Sequence, residues 1–270
     1  MTTNQPFLAI NQHLTDFAPI TLPEMESVKL MDRSEVKFTI PVVKLADILA
    51  SVQDHYRILE MKDTRIFDYE TLYFDTPSMD LYHQHHAGHL NRCKIRFRNY
   101  VDTNTSFFEI KLKNNKGRTI KTRIPDQLSE LNEIGEQSSA FLETKTAYKS
   151  DQFQPAVWVF YSRLTLVSTC SAERITIDLN LRFRSGDKQK HFTQMAVVEV
   201  KQEKKHANSV FLDLMQKRRF KQSGMSKYCL GVASLFDQVK RNRFKPKLNF
   251  LNKINNFHAT ITASRPTQFV

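Results

Sequence analysis

The sequence is poor in the residues that define several classes of protein. Only three of its 270 residues are cysteine, and Cys93, Cys170 and Cys229 lie far apart in no metal-ligand spacing. This argues against a disulfide framework and predicts a reducing, cytoplasmic location. Six glycines and nine prolines are too few for a low-complexity chain.

Long apolar runs and leader signals are also missing. No run approaches the roughly 18 apolar residues that a membrane-spanning helix needs. The N-terminus has no basic region followed by an apolar core, so no signal peptide is predicted. Peripheral contact with an anionic membrane stays open. Hydrophobic residues make up 40% of the chain, enough to build a core for one large domain or two small ones.

Acidic residues are the minority charge. Asp and Glu number 28 against 40 Lys and Arg, which gives a formal net charge of +12. Such a balance predicts a polyanionic partner: nucleic acid, a nucleotide, polyphosphate or an anionic membrane.

The densest cationic stretch runs from Leu90 to Tyr100. Its cations occupy every second position: Arg92, Lys94, Arg96 and Arg98. Apolar residues fall between them. Because successive side chains of a strand point to opposite faces, this strand has one wholly cationic face. A solvated edge strand that resists aggregation would carry similar charges, so the rest of the chain decides between the two interpretations.

Alternation of apolar and charged residues predicts eight strands. They lie near residues 33–39, 70–75, 90–100, 106–113, 118–124, 156–166, 173–183 and 194–202. Helices are predicted near residues 42–56, 79–82, 127–150, 208–219 and 226–240. Residues 1–26 show no clear period and are predicted to be an arm. Residues 241–270 are predicted to be a basic tail, which leaves 27–240 as the domain.

The charged strand faces favour a closed barrel over an open sheet. They hold carboxylates as well as cations, namely Glu35, Glu109, Asp178 and Glu199. A solvated face would carry more Ser, Thr, Gln and Asn, and eight strands can close around one slim ligand. We therefore expect a mainly β fold of the α+β class: an eight-stranded antiparallel β-barrel with a charged interior and helices packed outside.

A bore crowded with cations needs an anion to fill it, because unpaired buried charge is costly. The bore is too narrow for a duplex. Its inward positions carry few aromatic residues, chiefly Tyr73 and Tyr161, so it offers no platform for stacking bases. A slim chain of phosphates suits it better, since Arg and Lys both bind phosphate oxygens.

Nine short motifs resemble, in order, the VTC-type polyphosphate polymerase domain of the triphosphate tunnel metalloenzyme superfamily. They are RSEVKF, YFDTP, KIRFR, FEIKLK, IKTRI, YSR, ERITID, VVEVK and MSKY. The resemblance implies a tunnel that transfers the γ-phosphate of ATP onto a growing inorganic polyphosphate chain, with Mn²⁺ or Mg²⁺. The short segment before the first strand predicts a stand-alone bacterial member.

The resemblance also implies site residues. Catalytic roles are expected for Lys37, Arg96, Arg98, Glu199 and Lys227. Phosphate-binding roles are expected for Lys111, Lys121, Arg163 and Arg174, and the same charged faces add Arg92, Lys94, Lys113, Arg123, Tyr161 and Lys201. Glu199 is predicted to hold the metal, with Glu35 as a second ligand; the alternative is a structural ion pair with Lys201 or an arginine. Lys227 could equally point outward from its helix.

Three rival functions remain open. The same scaffold could hydrolyse triphosphate, with water as the acceptor. It could bind polyphosphate without catalysis, or bind nucleic acid through its +12 surface, although inward cations argue against the last. The first strand lacks the full Glu-x-Glu-x-Lys pattern of hydrolytic tunnel enzymes, which favours the polymerase. The histidines at 83, 85, 86 and 89 fit no zinc spacing and are predicted to lie in a solvated loop.

Overall fold

One antiparallel sheet carries most of the chain. The computed structural model describes residues 5–27, 33–203 and 208–263. The strands are β1 (Ala18–Ile20), β2 (Arg33–Pro41), β3 (Tyr56–Leu59), β4 (Phe67–Asp75), β5 (Arg92–Tyr100), β6 (Thr105–Lys113), β7 (Thr119–Pro125), β8 (Gln154–Ser168), β9 (Glu173–Ser185), β10 (Lys188–Phe192) and β11 (Met195–Glu203). All pairs are antiparallel except β1 with β3.

Eight helices accompany the sheet within the described residues. They are α1 (Gln5–Thr15), α2 (Leu22–Ser27), α3 (Leu45–Ala50), α4 (Asp80–Ala87), α5 (Glu136–Lys145), α6 (Val210–Lys217), α7 (Lys227–Leu235) and α8 (Lys245–Ala263). None of them is both long enough and apolar enough to cross a membrane.

The sheet is open, so the prediction of a closed barrel is wrong. Hydrogen-bonded neighbours follow the order β2-β11-β9-β8-β4-β5-β6-β7, with β1, β3 and β10 attached beside this path. These eight strands are the ones that alternation predicted, and the mainly β, α+β class is confirmed. β2 and β7 stand at opposite ends of the path and do not pair with each other. Alternation determines which face a side chain takes, but it carries no information on whether the last strand meets the first.

The open sheet bends until its two edges face one another. Glu35 and Lys37 of β2 line the same cavity as Lys113 of β6 and Thr119 of β7. The free edge of β2 is partly covered by a loop, because the backbone N–H of Ser223 donates to the carbonyl oxygen of Lys37 at 2.8 Å. The concave face of the eight-stranded path is called the cleft below.

The convex face of the sheet is covered by helices. Ile10 and Leu14 of α1, Ile48 of α3 and Phe211 of α6 form one buried cluster with the strand residue Val198. Burying such side chains stabilises the fold by about 1.5–3 kcal/mol each. The segment predicted to be an arm therefore contributes a helix to the core.

A bulge in β9 reverses which side chains enter the cleft. Phe160 of β8 pairs with Arg182, and Ser162 pairs with Leu179, so β9 has one residue more than β8 between these pairs. Asn180 absorbs the irregularity with a backbone φ of 53°, a left-handed conformation that Asn tolerates better than most residues. Regular alternation would put Arg182 on the inward face with Asp178, and the bulge turns it to the opposite face.

Beyond the bulge, the concave face becomes apolar and receives a helix. Leu181 and Phe183 pack with Tyr228 and Leu230 of α7 in one buried cluster. Gly231 permits this contact, because a Cβ there would lie 2.8 Å from Cδ1 of Phe183. The helix α7 therefore forms the floor of the cleft, and only the cleft above it is left for a ligand.

The region predicted to be a basic tail contains a further helix. Leu251 and Ile254 of α8 are buried in the cluster that also holds α7. The Lys247 ammonium donates to Oγ1 of Thr39 at 3.1 Å. The helix α8 thus packs against the domain from the same side as α7.

Candidate functional site

Strand register brings the predicted cations and carboxylates together in the cleft. Glu199 of β11 lies opposite Lys37 of β2, and Arg96 of β5 lies opposite Glu109 of β6. Opposite residues of paired strands point to the same face of a sheet. The cationic face predicted for β5 is therefore joined by charged side chains from its neighbours.

At one end of the cleft, the first mouth, all charged lining residues but one are cationic. It opens into a cavity of about 660 Å³. Its cationic lining consists of Lys37, Arg92, Lys94, Lys111 and Lys113, and Glu35 also lines it. Ser226 ties this mouth to α7, because its Oγ accepts from Lys94 Nζ at 2.9 Å and also caps the helix by accepting from the backbone N–H of Cys229.

The end near Tyr100 of β5, the second mouth, has a mixed lining. Its cavity measures about 460 Å³, and its cations are Arg123, Arg163, Arg174 and Lys201. Aromatic rings stand beside them: the ring centroids of Tyr69 and Tyr100 are 5.0 Å apart, and the Arg123 guanidinium lies 4.3 Å from the ring centroid of Phe107. Leu22 and Met25 of α2 add an apolar wall. The two mouths therefore differ in chemistry.

A carboxylate shared by two ammonium groups lies between the mouths. Glu199 Oε2 is 2.7 Å from Lys37 Nζ, and Oε1 is 2.5 Å from Lys201 Nζ. Burial raises the pKa of the Glu199 carboxyl, but Lys201 and Lys37 outweigh it and hold that pKa well below its usual range. Burial lowers the pKa of Lys37 and Lys201, against the raising effect of Glu199. Glu199 is therefore ionised.

The paired arginines of β5 share one carboxylate. Arg96 donates from Nε to Glu109 Oε2 at 2.7 Å and from Nη1 to the Tyr73 hydroxyl at 2.8 Å. Arg98 Nη1 is 3.9 Å from the same carboxylate oxygen. Arg98 Nε is buried and makes no hydrogen bond with any described residue. A buried donor without an acceptor is costly, so Arg98 has a donor that an anionic ligand would satisfy.

A third carboxylate, which is buried, joins the sheet to α7. Arg163 donates to both oxygens of Asp178, at 2.6 and 3.0 Å, and Lys227 donates to Asp178 Oδ2. Burial raises the pKa of Asp178, but Arg163 and Lys227 outweigh it and lower it to about 2. The Lys227 ammonium also lies 4.5 Å from the ring centroid of Tyr161. Lys227 therefore points into the cleft rather than outward.

The sequence of the chain decides its family. A family model described as the VTC domain matches residues 32–236. The chain belongs to the VTC domain family. No curated protein gives a significant match.

Solved structures that resemble this VTC domain are distant. A putative adenylate cyclase from Vibrio parahaemolyticus is 14% identical with a TM-score of 0.45, covering 74% of this chain and 99% of that one. A putative adenylyl cyclase from Hippeastrum, described as having a dominant triphosphatase activity, is 14% identical with a TM-score of 0.48, covering 77% and 98%. A putative adenylate cyclase from Bacillus halodurans is 13% identical with a TM-score of 0.43, covering 80% and 100%.

The VTC domain brings nearly all the predicted site residues into or around one cleft. Lys121 is the exception: it lies opposite Lys111 in the β6–β7 register, but it is exposed and lines neither mouth. Arg174 and Lys201 lie opposite each other at the second mouth. Their catalytic and phosphate-binding roles remain predictions.

Three groups that organise the VTC domain's cleft had no site role predicted from the sequence. Glu109 and Asp178 were placed on charged faces, but only cross-strand register reveals their arginine partners. His85 was predicted to lie in a solvated loop; it lies on α4 and lines the first mouth. The sequence predicted a helix only over residues 79–82, short of His85, and no chemical motif distinguished this histidine from its neighbours.

The two predicted metal ligands converge on one point. Glu35 and Glu199, on adjacent strands, both contact the ammonium of Lys37. Mg²⁺ commonly takes one or two carboxylates together with substrate phosphates. Glu35 and Glu199 could hold a divalent ion of this kind in place of the Lys37 ammonium. Lys37 would then turn away from them and toward the phosphate. No group of three or more His, Cys, Asp and Glu side chains within the described residues could hold a metal by itself.

Lys111 should make anion binding at the first mouth depend on pH. Burial, together with the charges of Lys94 and Arg96, lowers the pKa of Lys111 to about 8. Below that pH its ammonium adds to the attraction for an anion; as the pH rises through about 8 the free protein loses this charge. We therefore expect Lys111→Met to weaken tripolyphosphate binding more at pH 7 than at pH 9.

Titration calorimetry at these two pH values measures the effect. Tripolyphosphate itself changes ionisation in this range, and comparing each variant with the unmodified protein at the same pH cancels that contribution. Lys116→Met, in the exposed turn between β6 and β7, is the matched control and should leave binding unchanged at both pH values. An equal loss at pH 7 and pH 9 for Lys111→Met would contradict the assignment.

Proposed function

We propose that this VTC domain is an ATP-dependent polyphosphate polymerase, which transfers the γ-phosphate of ATP onto an inorganic polyphosphate chain held in the cleft. The observation that carries the proposal is the extent of the cationic lining. It continues from Lys113 at the first mouth, through Arg96 and Arg98, to Arg174 at the second mouth. This is more length than one triphosphate needs, and a hydrolase would require only a pocket.

The chemistry of phosphoryl transfer suits such a site. It depends mainly on positioning and on neutralising charge, with little covalent work for the protein. Arg96 and Arg98 would bind the transferred phosphoryl group, and the unpartnered Nε of Arg98 would gain its acceptor. The terminal phosphate of the acceptor chain is already ionised, so its attack in line requires no general base.

When substrate binds, the lysines that now pair with carboxylates in the cleft would contact the phosphates instead. Lys37 and Lys201 now neutralise Glu199, and Lys227 neutralises Asp178. A bound phosphate chain offers these ammonium groups stronger acceptors. Glu199 and Glu35 would hold the divalent ion, Mn²⁺ or Mg²⁺, which when bound neutralises charge on the phosphate oxygens.

The difference between the mouths supports a direction of travel. The sequence predicted no platform for stacking bases, but the second mouth combines cations with Tyr69, Tyr100, Phe107 and an apolar wall. This lining suits a nucleoside that stacks on aromatic rings. The first mouth has cations and little aromatic surface, which suits a chain of phosphates alone. ATP would therefore enter at the second mouth, and polyphosphate would leave at the first. We place this reaction in the cytoplasm, where ATP is abundant.

Incubation of the purified protein with ATP and Mn²⁺ tests the proposal. Gel electrophoresis and phosphorus NMR should reveal ADP and a ladder of long chains with internal-phosphate resonances. The Arg96→Gln, Arg98→Gln double variant should give no ladder. Lys116→Gln, in the exposed turn between β6 and β7, is the matched control and should retain it.

Other products would identify the alternatives. ADP with orthophosphate only, and no chain longer than three phosphates, would contradict the polymerase and establish a hydrolase on the same scaffold. Polyphosphate binding with neither product would identify a non-catalytic receptor.

A further inference from the structure

The imidazole of His85 lies among the cations of the first mouth. Arg92 Nε donates to His85 Nδ1 at 3.0 Å. The other ring nitrogen, Nε2, lies 3.2 Å from the carbonyl oxygen of Cys93. Because a carbonyl oxygen can only accept, Nε2 carries the proton and Nδ1 offers a lone pair. Both ring nitrogens therefore have fixed and different roles.

The surroundings of His85 keep its ring neutral. Burial lowers its pKa to about 3, and the charges of Lys94 and Arg92 act in the same direction. A protonated ring could not accept a hydrogen bond from Arg92. The neutral form thus persists throughout the physiological range, and the acceptor remains available at every pH at which the protein would work.

Arg92 is held at two points by this part of the chain. Besides the bond to His85, its Nη1 donates to the backbone carbonyl oxygen of His89. Its bonds to described residues thus use Nε and Nη1, which leaves Nη2 for a phosphate oxygen. A long arginine side chain loses much rotamer freedom when it binds a ligand, and fixing it beforehand lowers that cost.

We propose that His85 is a positioning residue, which holds the Arg92 guanidinium ready to bind phosphate at the first mouth. It would do so as an uncharged acceptor, so it orients the cation without neutralising it. A carboxylate in the same place would fix Arg92 equally well but would repel the ligand. The inference rests on the proposed function, because it assumes that the first mouth binds a phosphate chain.

A double-mutant cycle on tripolyphosphate binding, measured by titration calorimetry without metal, tests this role. His85→Leu removes the acceptor and keeps an apolar side chain of similar size. It should weaken binding about tenfold, the usual effect of one lost hydrogen bond to a charged group. In an Arg92→Ala background the same change should have little further effect, because His85 would act only through Arg92.

Conservative and matched variants separate positioning from folding. His85→Asn can still offer an oxygen near the place of Nδ1 and should recover most of the affinity. His83→Ala removes an imidazole from the same helix outside the first mouth and should bind normally. Thermal melting checks the folding of each variant, and His85→Ala takes the place of His85→Leu if the latter does not fold.

The outcomes are distinct. Full coupling to Arg92 together with recovery in His85→Asn supports the inference. A loss that persists in the Arg92→Ala background, or no loss at all in His85→Leu, overturns it. Failure of the unmodified protein to bind tripolyphosphate would instead contradict the proposed function, since that result does not depend on His85.

Discussion

Glu199→Gln should lower the Mn²⁺-dependent turnover of ATP by at least about a hundredfold. The amide keeps the shape of the side chain but loses the charge that would hold the divalent ion. Lys37 and Lys201 now share this carboxylate, and without it the cleft becomes more positive. Tripolyphosphate binding in the absence of metal should therefore be preserved or strengthened, while turnover collapses.

Measuring the two properties separately distinguishes metal binding from phosphate binding. Turnover is followed as ADP release, and Mn²⁺ affinity by electron paramagnetic resonance. Glu35→Gln is the matched control: Glu35 also contacts Lys37, but it is more exposed, with 31% of its side chain accessible against 19% for Glu199, so we expect a smaller loss. If Glu199→Gln weakens metal-free binding as much as turnover, Glu199 has a structural role and not a metal-binding one.

Asp75→Ala should destabilise the fold by about 3–5 kcal/mol. The Asp75 side chain is fully buried. It accepts hydrogen bonds from the backbone N–H groups of Thr76, Leu81 and Tyr82, at 2.8, 2.9 and 2.9 Å, and from the Tyr228 hydroxyl. Alanine would leave these donors buried without an acceptor. The YFDTP and MSKY motifs are therefore joined by one carboxylate.

Urea denaturation followed by circular dichroism measures this loss. Asp80→Ala is the matched control, because Asp80 is exposed and its carboxylate accepts only from the hydroxyls of Thr76 and Ser78 among the described residues. We expect it to cost less than about 1 kcal/mol. A similar effect for both variants would show that the Asp75 contacts contribute little. Because Tyr228 follows Lys227 at the start of α7, partial loosening should also reduce phosphate binding.

The strands of the cleft could be predicted because their charged residues recur at the two-residue period of a β-strand. From Arg92 to Arg98 in β5, and from Glu109 to Lys113 in β6, every second side chain is charged, and this pattern survives folding. The helix α1 was missed although Phe7, Ile10 and Leu14 have helical spacing, since the exposed Leu8 adds an apolar residue outside that face and blurs the period. Short strands such as β10 were missed because five residues carry too little pattern. Closure of a barrel, and the bulge at Asn180 that changes which side chains of β9 face the cleft, both depend on the pairing of neighbouring strands. Alternation within one strand does not describe that pairing.

The residues of the site could be predicted better than their partners. A face rich in Arg and Lys is visible in the sequence, but the sharing of Glu109 by Arg96 and Arg98 depends on the β5–β6 register. The position of Lys227 depends on how α7 lies across the cleft, which the helical period leaves undetermined. His85 joined the site because α4 packs beside β5, a contact between segments that show no common pattern.

The free edges of β2 and β7 give the protein the topology of a hook and not of a ring. A ring that has closed around a polymer releases it only at a chain end, whatever the solvent. A hook has no hydrogen-bonded seam between β2 and β7, so an anionic polymer in the cleft would be held mainly by attraction to the cations that line it. Because the screening length falls from about 10 Å at 0.1 M salt to about 3 Å at 1 M, salt would free even a very long chain.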